Sequence, residues 1–215
     1  MNILNAVISI FVVLFAITIH EASHGWAAFK MGDPTAYHQG RVTLNPIAHI
    51  DPLGTIILPL ILVIMNAPPF GWAKPVPVNP LNLKNPRRDN LIISAAGPAS
   101  NILVAFCSLL VIQVLKQVDP ALFYRPKTSL ITGLFLVFYY LTLINVILAA
   151  FNLIPIPPLD GSGILLGLIS PEAAEKYESL RPYGFLIIML LLFTGILNRL
   201  LGFVVGFINI FVFPR

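Results

Sequence analysis

His20-Glu21-Ala22-Ser23-His24 is the segment of this chain best equipped for chemistry. On a helix, residues four apart share a face, so the two imidazoles can converge on one metal ion. Glu21, one position further round, cannot join them as a ligand on that face but is placed to act as a general base toward a hydrolytic water. The pattern alone is short enough to arise by chance, and its setting gives it weight. Glu21 is the only formally charged side chain among the first 29 residues, and an ionisable group in a bilayer costs about 2.5–3.5 kcal/mol on insertion scales. The bland alternative is that all three are polar residues tolerated in helix packing.

A catalytic zinc site takes three protein ligands and leaves a position open. Far downstream, Asp160 is the acidic residue embedded in an apolar stretch broken by Pro155, Pro157 and Pro158, and Gly161 follows it. A carboxylate on unwound backbone can be aimed where a regular helix could not aim it. Alternatively, Asp160 caps a helix that begins near Gly161. With the histidine pair present, we expect it to be the third ligand.

The elements that must position these groups belong to a membrane protein. Hydrophobic residues make up 57% of the 215-residue chain and charged residues 10%, against about 25% charged in soluble domains; mean hydropathy is +0.88. Apolar runs at residues 3–29, 91–115, 130–151 and 183–213 each reach the roughly 20 residues that cross a bilayer. The run at 53–65 is too short to cross comfortably. The first run lacks a basic leader and carries His20, Glu21 and His24, so it is expected to be a retained span rather than a signal peptide. The net charge of +4 reads as a topology signal at loop ends; no basic stripe or aromatic platform suggests nucleic acid. Cys107 is the sole cysteine, which rules out an intramolecular disulfide.

The first helix should stop near Met31-Gly32-Asp33-Pro34. Residues 35–51 are polar and β-tolerant and read as a short strand or hairpin. A proline-rich stretch, Pro68 to Pro80, bars helix, and such backbone at membrane depth must be buried in protein or line a watery cavity. Trp72 within it is an interface anchor or a substrate-facing side chain. Gly97-Pro98-Ala99-Ser100-Asn101 offers small residues for close helix contact. The last run is interrupted at Asn198-Arg199, giving one long helix or two short ones. The expected architecture is a single domain over residues 1–215: an all-α polytopic membrane protein with about four to six transmembrane helices, a membrane-associated β-hairpin and a re-entrant proline-rich loop.

Four segments together resemble the site-2 protease family of intramembrane zinc metalloproteases. They are His20-Glu21-Ala22-Ser23-His24, the run from Phe70-Gly71-Trp72 to Val78-Asn79, Gly97-Pro98-Ala99-Ser100-Asn101, and Asn152…Pro155…Pro157…Leu159-Asp160-Gly161. Their order matches too, over about residues 10–166, and with no PDZ-sized or CBS-sized insertion the chain looks like the compact prokaryotic branch. The resemblance implies one zinc per chain held by His20, His24 and Asp160, with Glu21 as the catalytic base. It also implies that Asn152 binds substrate or steadies the tetrahedral intermediate, although an amide capping the backbone at the helix break is an equal alternative. The implied substrates are membrane-anchored proteins cut in or near their transmembrane segments. A hidden helical peptide must be unwound to be cut, and residues 35–44 are the expected strand edge that pairs with it. His49 is either a structural loop histidine or an occupant of the metal's open position. Rival readings are a catalytically silent scaffold of the same fold and a channel or carrier, the latter unsupported by any internal repeat. Basic residues place the active site toward the cytoplasm of a prokaryotic cell membrane.

Overall fold

The computed structural model describes residues 3–65, 71–121 and 129–213, so Pro68, Pro69, Phe70, Arg125 and Lys127 lie outside the described residues. Among the described residues, three helices are long and apolar enough to cross a membrane: α1 (Ile3–Met31), α4 (Pro86–Val118) and α5 (Leu130–Asn152). Between them lie α2 (Thr35–His38) and α3 (Leu58–Ile64); after α5 come α6 (Asp160–Leu168), α7 (Pro171–Glu178), α8 (Gly184–Phe193) and α9 (Ile196–Val212). α4 is the central element and packs against α1, α5 and α6. Large apolar side chains such as Phe11, Ile102, Leu103, Phe106 and Leu110 face outward, which suits lipid and not water. The protein is an integral membrane protein.

The candidate spans among the described residues number three, or four if the bent pair ending in α9 counts as one, at the lower end of the expected range. That pair bends by 68°, and the break falls at Thr194-Gly195 rather than at Asn198-Arg199. Gly195 adopts φ +75°, a left-handed turn that a helix end readily uses, while Asn198 and Arg199 continue as helix. α1 stops where expected, with Gly32 at φ +107°.

The β-hairpin expected over residues 35–51 is not formed, and no strand occurs among the described residues. Asp33 Oδ1 accepts from both the Thr35 N–H (3.1 Å) and its hydroxyl (2.5 Å), and the chain coils at once into α2. Arg41 then turns inward, buried, and its guanidinium donates to the carbonyls of Ala48, Lys74 and Pro75. A buried arginine bonded to three carbonyls is a knot of loops, and residues 35–44 offer no pairing edge.

The short run at 53–65 starts beside the point where the described chain resumes at 71–74. Gly54 carbonyl accepts from the Trp72 N–H (3.2 Å), the Thr55 hydroxyl donates to the Trp72 carbonyl (2.9 Å), and His49 carbonyl accepts from the Lys74 N–H (3.0 Å). Residues 54 and 72 are thus side by side, and the chain beyond, at 71–79, carries no regular secondary structure.

Candidate metal centre

α1 presents His20 and His24 toward α4, where Gly97 makes room for them. A β-carbon at Gly97 would stand 2.3 Å from His24 Nε2 and 2.7 Å from His20 Cε1. Pro98 follows and lacks the N–H that would continue the helix's bonding at that turn. On the same stretch of α4 the Ile93 carbonyl accepts a hydrogen bond from His24 Nδ1 at 2.7 Å.

Asp160 arrives from the other side. After α5 the chain folds back tightly through residues 153–159, and Gly161 lets α6 begin against it: a β-carbon there would lie 2.3 Å from the Leu153 carbonyl. α6 then lies close on α4 through Gly163 and Gly167, whose β-carbons would meet Ser94 and Leu91 at 2.1 and 2.5 Å. Small residues four apart are what such a close helix approach requires. The result sets Asp160, the first residue of α6, beside the histidine pair.

The three side chains meet at one point. His20 Nε2 and His24 Nε2 are 3.0 Å apart, and Asp160 Oδ2 is 3.0 Å from the first and 3.3 Å from the second. They are the one group of three or more potential ligands of this kind among the described residues. Their protonation follows from the outer partners. His24 Nδ1 faces a backbone carbonyl and must donate. His20 Nδ1 faces Asn101 Oδ1 at 2.6 Å, and the Asn101 amide nitrogen is turned toward two acceptors, the Ala16 carbonyl (3.1 Å) and Asn145 Oδ1 (2.7 Å). His20 Nδ1 therefore donates as well. A neutral imidazole protonated at Nδ1 carries a lone pair at Nε2.

Two lone pairs and a carboxylate oxygen thus point at one another, and Asp160 Oδ2 is buried with no hydrogen-bond partner. A proton on one imidazole would relieve one contact. A divalent cation relieves all three, and a two-histidine, one-carboxylate set suits zinc. The residues fit the metal.

A cavity of about 240 Å³ opens beside this point, lined by Glu21, Pro75, Val76, Val78, Asn152 and the three clustered residues, with Asn90 and Ser94 on the α4 side. Glu21 Oε2 accepts from the Val76 N–H at 3.1 Å, which holds the carboxylate on the cavity wall. Asn152 also lines the cavity, but its Nδ2 donates back to the Leu148 carbonyl at 3.0 Å, the backbone-capping arrangement. His49 is not in the cluster; it is buried, and its Nε2 donates to the Thr43 carbonyl at 2.9 Å. Sequence reasoning missed Asn90, Ser94 and the Ile93 carbonyl. It read Asn101 only within the small-residue segment at 97–101, which carries part of the family resemblance, and passed over Asn145.

Comparison with known proteins follows this geometry. The family model described as Peptidase family M50 matches residues 8–194. "Putative zinc metalloprotease YwhC" of Bacillus subtilis (strain 168) is 39% identical over 181 residues, covering 84% of this chain and 78% of that protein. "Putative zinc metalloprotease Rip2" of Mycolicibacterium smegmatis is 29% identical over 187 residues, covering 86% of this chain and 66% of that protein. The Rip2 protein of Mycobacterium tuberculosis (strain H37Rv), which bears the same description, is 25% identical over 185 residues, covering 86% and 66%. No solved structure matches the chain.

Proposed function

The chain belongs to peptidase family M50 and is a membrane-embedded metalloprotease; from that membership and the geometry of its polar centre we propose that it is a zinc endopeptidase that cuts membrane-anchored proteins in or near their transmembrane segments. The observation that carries the reading is the convergence of three metal-binding lone pairs on the wall of a cavity that Glu21 shares. His20, His24 and Asp160 would hold one zinc ion per chain. Zinc, when bound, supplies a Lewis acid that polarises the scissile carbonyl and makes water easier to deprotonate.

The remaining work falls to the chain's own groups. Glu21 takes the proton of the attacking water and returns it to the leaving amine nitrogen. Its bond to the Val76 N–H orients it for that exchange without occupying either histidine. Asn152 lines the cavity and has one amide hydrogen beyond the bond to Leu148, which it can offer to the scissile carbonyl. The irregular run at 71–79 borders the cavity through Pro75, Val76 and Val78 and replaces residues 35–44 as the element along which an unwound substrate would lie. The whole chain, residues 1–215, serves as one protease domain, with the excursion at 53–65 as a re-entrant segment. The site opens toward the cytoplasm of a prokaryotic cell membrane.

The test is purified protein in detergent or vesicles with a membrane-anchored reporter. Glu21→Gln should keep about one zinc per chain and lose cleavage, because only proton transfer is removed. Cleavage unchanged in Glu21→Gln, or zinc fully retained in Asp160→Ala, would overturn the mechanism. A wild-type protein that binds zinc and cuts nothing would point to a silent scaffold.

A further inference from the structure

Asn101 and Asn145 are both completely buried, and they form a hydrogen-bonded chain from α5 through α4 to a metal-cluster histidine on α1. Asn145 Nδ2 donates to the Leu141 carbonyl at 2.8 Å, Asn101 Nδ2 donates to Asn145 Oδ1 at 2.7 Å, and His20 Nδ1 donates to Asn101 Oδ1 at 2.6 Å. The direction of this chain is set by two backbone carbonyls, Leu141 at its far end and Ala16 beside Asn101. A backbone carbonyl can only accept, so Asn145 must turn its nitrogen toward Leu141 and its oxygen toward Asn101. Asn101 is then obliged to turn its nitrogen away from His20 and its oxygen toward it.

We infer that Asn145 is a positioning residue for the metal centre: acting through Asn101, it fixes the His20 tautomer that leaves Nε2 free to bind a cation. The inference rests on the zinc-site reading above. Without the Asn145 oxygen, the Ala16 carbonyl (3.1 Å) is the one remaining acceptor for the Asn101 nitrogen, and Asn101 is freer to turn its amide hydrogens toward His20 Nδ1. The imidazole would then carry its proton on Nε2, facing His24 and Asp160, where it blocks a ligand. Partners of this kind beyond the ligands commonly change metal affinity 10–100-fold. The alternative is that Asn145 merely fills the space between α5 and α4. These differ in what they demand of position 145: tautomer control needs an acceptor there, whereas packing needs only the volume.

The experiment is zinc affinity by chelator competition, with the Co(II) absorption spectrum and helical content, on the intact purified protein. Asn145→Asp keeps an acceptor for Asn101 and, protonated in this buried place, a donor for Leu141. It should bind zinc within about threefold of wild type. Asn145→Leu keeps the volume but removes the acceptor, and should lose affinity about 10–100-fold with an altered Co(II) spectrum at unchanged helical content. Should Asn145→Leu not fold, Asn145→Thr serves instead. Its hydroxyl can bond back to Leu141 but is too short for Asn101, and the same loss is expected. Wild-type affinity and spectrum in the folded leucine or threonine variant would overturn the inference, as would equal losses in the leucine and aspartate variants. Wild-type protein whose zinc binding does not depend on His20 would instead overturn the zinc-site reading itself.

Discussion

Gly97 lies directly against His24: a β-carbon on Gly97 would stand 2.3 Å from His24 Nε2, inside any tolerable contact. The space a methyl group would fill is the space in which the two imidazoles meet. Gly97 thus acts on the metal centre without offering it an atom.

Gly97→Ala should therefore cost zinc binding before it costs the fold. The nearest atoms belong to His24 and His20 side chains, which can swing away, whereas the backbones of α1 and α4 are held by packing elsewhere. Zinc affinity should fall by on the order of tenfold or more, with helical content close to wild type. Metal titration alongside circular dichroism checks both halves, and a variant that binds zinc normally would show that the pair tolerates displacement.

Zinc should stabilise the protein, and more simply than a cofactor that only fills a pocket. A proton on one imidazole can relieve only one of the three close contacts in the metal-free protein, whereas the cation joins all three atoms and ties α1 to the start of α6. Any ligand bound only to the folded state adds about 2.7 kcal/mol at a hundred times its Kd. Chelation should lower the melting temperature of wild type. Added zinc should raise the melting temperature of Asp160→Ala little, because a ligand is missing. Thermal unfolding with and without zinc distinguishes these cases.

The site and the spans were legible in the sequence to different degrees, for physical reasons. His20, Glu21, His24 and Asp160 could be read because charged or ligating groups are costly in apolar surroundings and stand out there. α1 could be bounded at Met31 because Gly32 and Pro34 stop a helix. The Ile93 carbonyl could not be read, since a backbone acceptor has no residue type. Asn145 was hidden because a single amide in an apolar helix does not reveal whether it meets a partner. Gly163 and Gly167 did carry a signal in their spacing, and it was passed over. Residues 35–44 misled because β-tolerant composition does not reveal that Asp33 will capture Thr35 or that Arg41 will turn inward.

Asp33 should anchor the end of α1 in a pH-dependent way. The residue is fully buried. Its Oδ1 accepts from Thr35 and from Asn82 Nδ2 (2.8 Å), and its Oδ2 accepts from the Asn79 N–H (2.7 Å). Burial pushes its carboxyl up, but the bonds from Asn82, Thr35 and Asn79 outweigh that and hold it below the ordinary carboxylate value. A carboxyl lowered on folding contributes stability above its unfolded pKa, about 3.9, and loses it as pH falls through the folded value. Asp33→Asn should cost roughly 1–3 kcal/mol at pH 7, since an amide leaves some of these donors unpaired. The gap between wild type and Asp33→Asn should narrow on acidification below about pH 4. Parallel melting curves at neutral and acidic pH test this; a gap that does not change with pH would mean the charge is irrelevant.

The membrane topology follows from the pairing of Gly54 with Trp72. Because the Gly54 carbonyl accepts from the Trp72 N–H, the chain between them should add no net crossing, which would put the end of α1 and the start of α4 on one side. α4 and α5 then cross and return, which brings Asp160 to the depth of His20, as their 3.0 Å contact requires. Lys30, Lys74, Lys84, Arg87, Arg88, Lys176 and Arg181 should then fall on that side and Lys116 on the other. The positive-inside rule makes the richer side cytoplasmic, so the centre should open toward the cytosol. On a Cys107→Ser background, Asn85→Cys should react with an impermeant thiol reagent only from the cytoplasmic face, and Gln117→Cys only from the opposite face. Both positions are exposed, so accessibility should be governed by side rather than burial. Labelling of Asn85→Cys only from outside, with Gln117→Cys unchanged, would mean that residues 53–65 cross the membrane, and the approach of Asp160 to His20 would need another explanation.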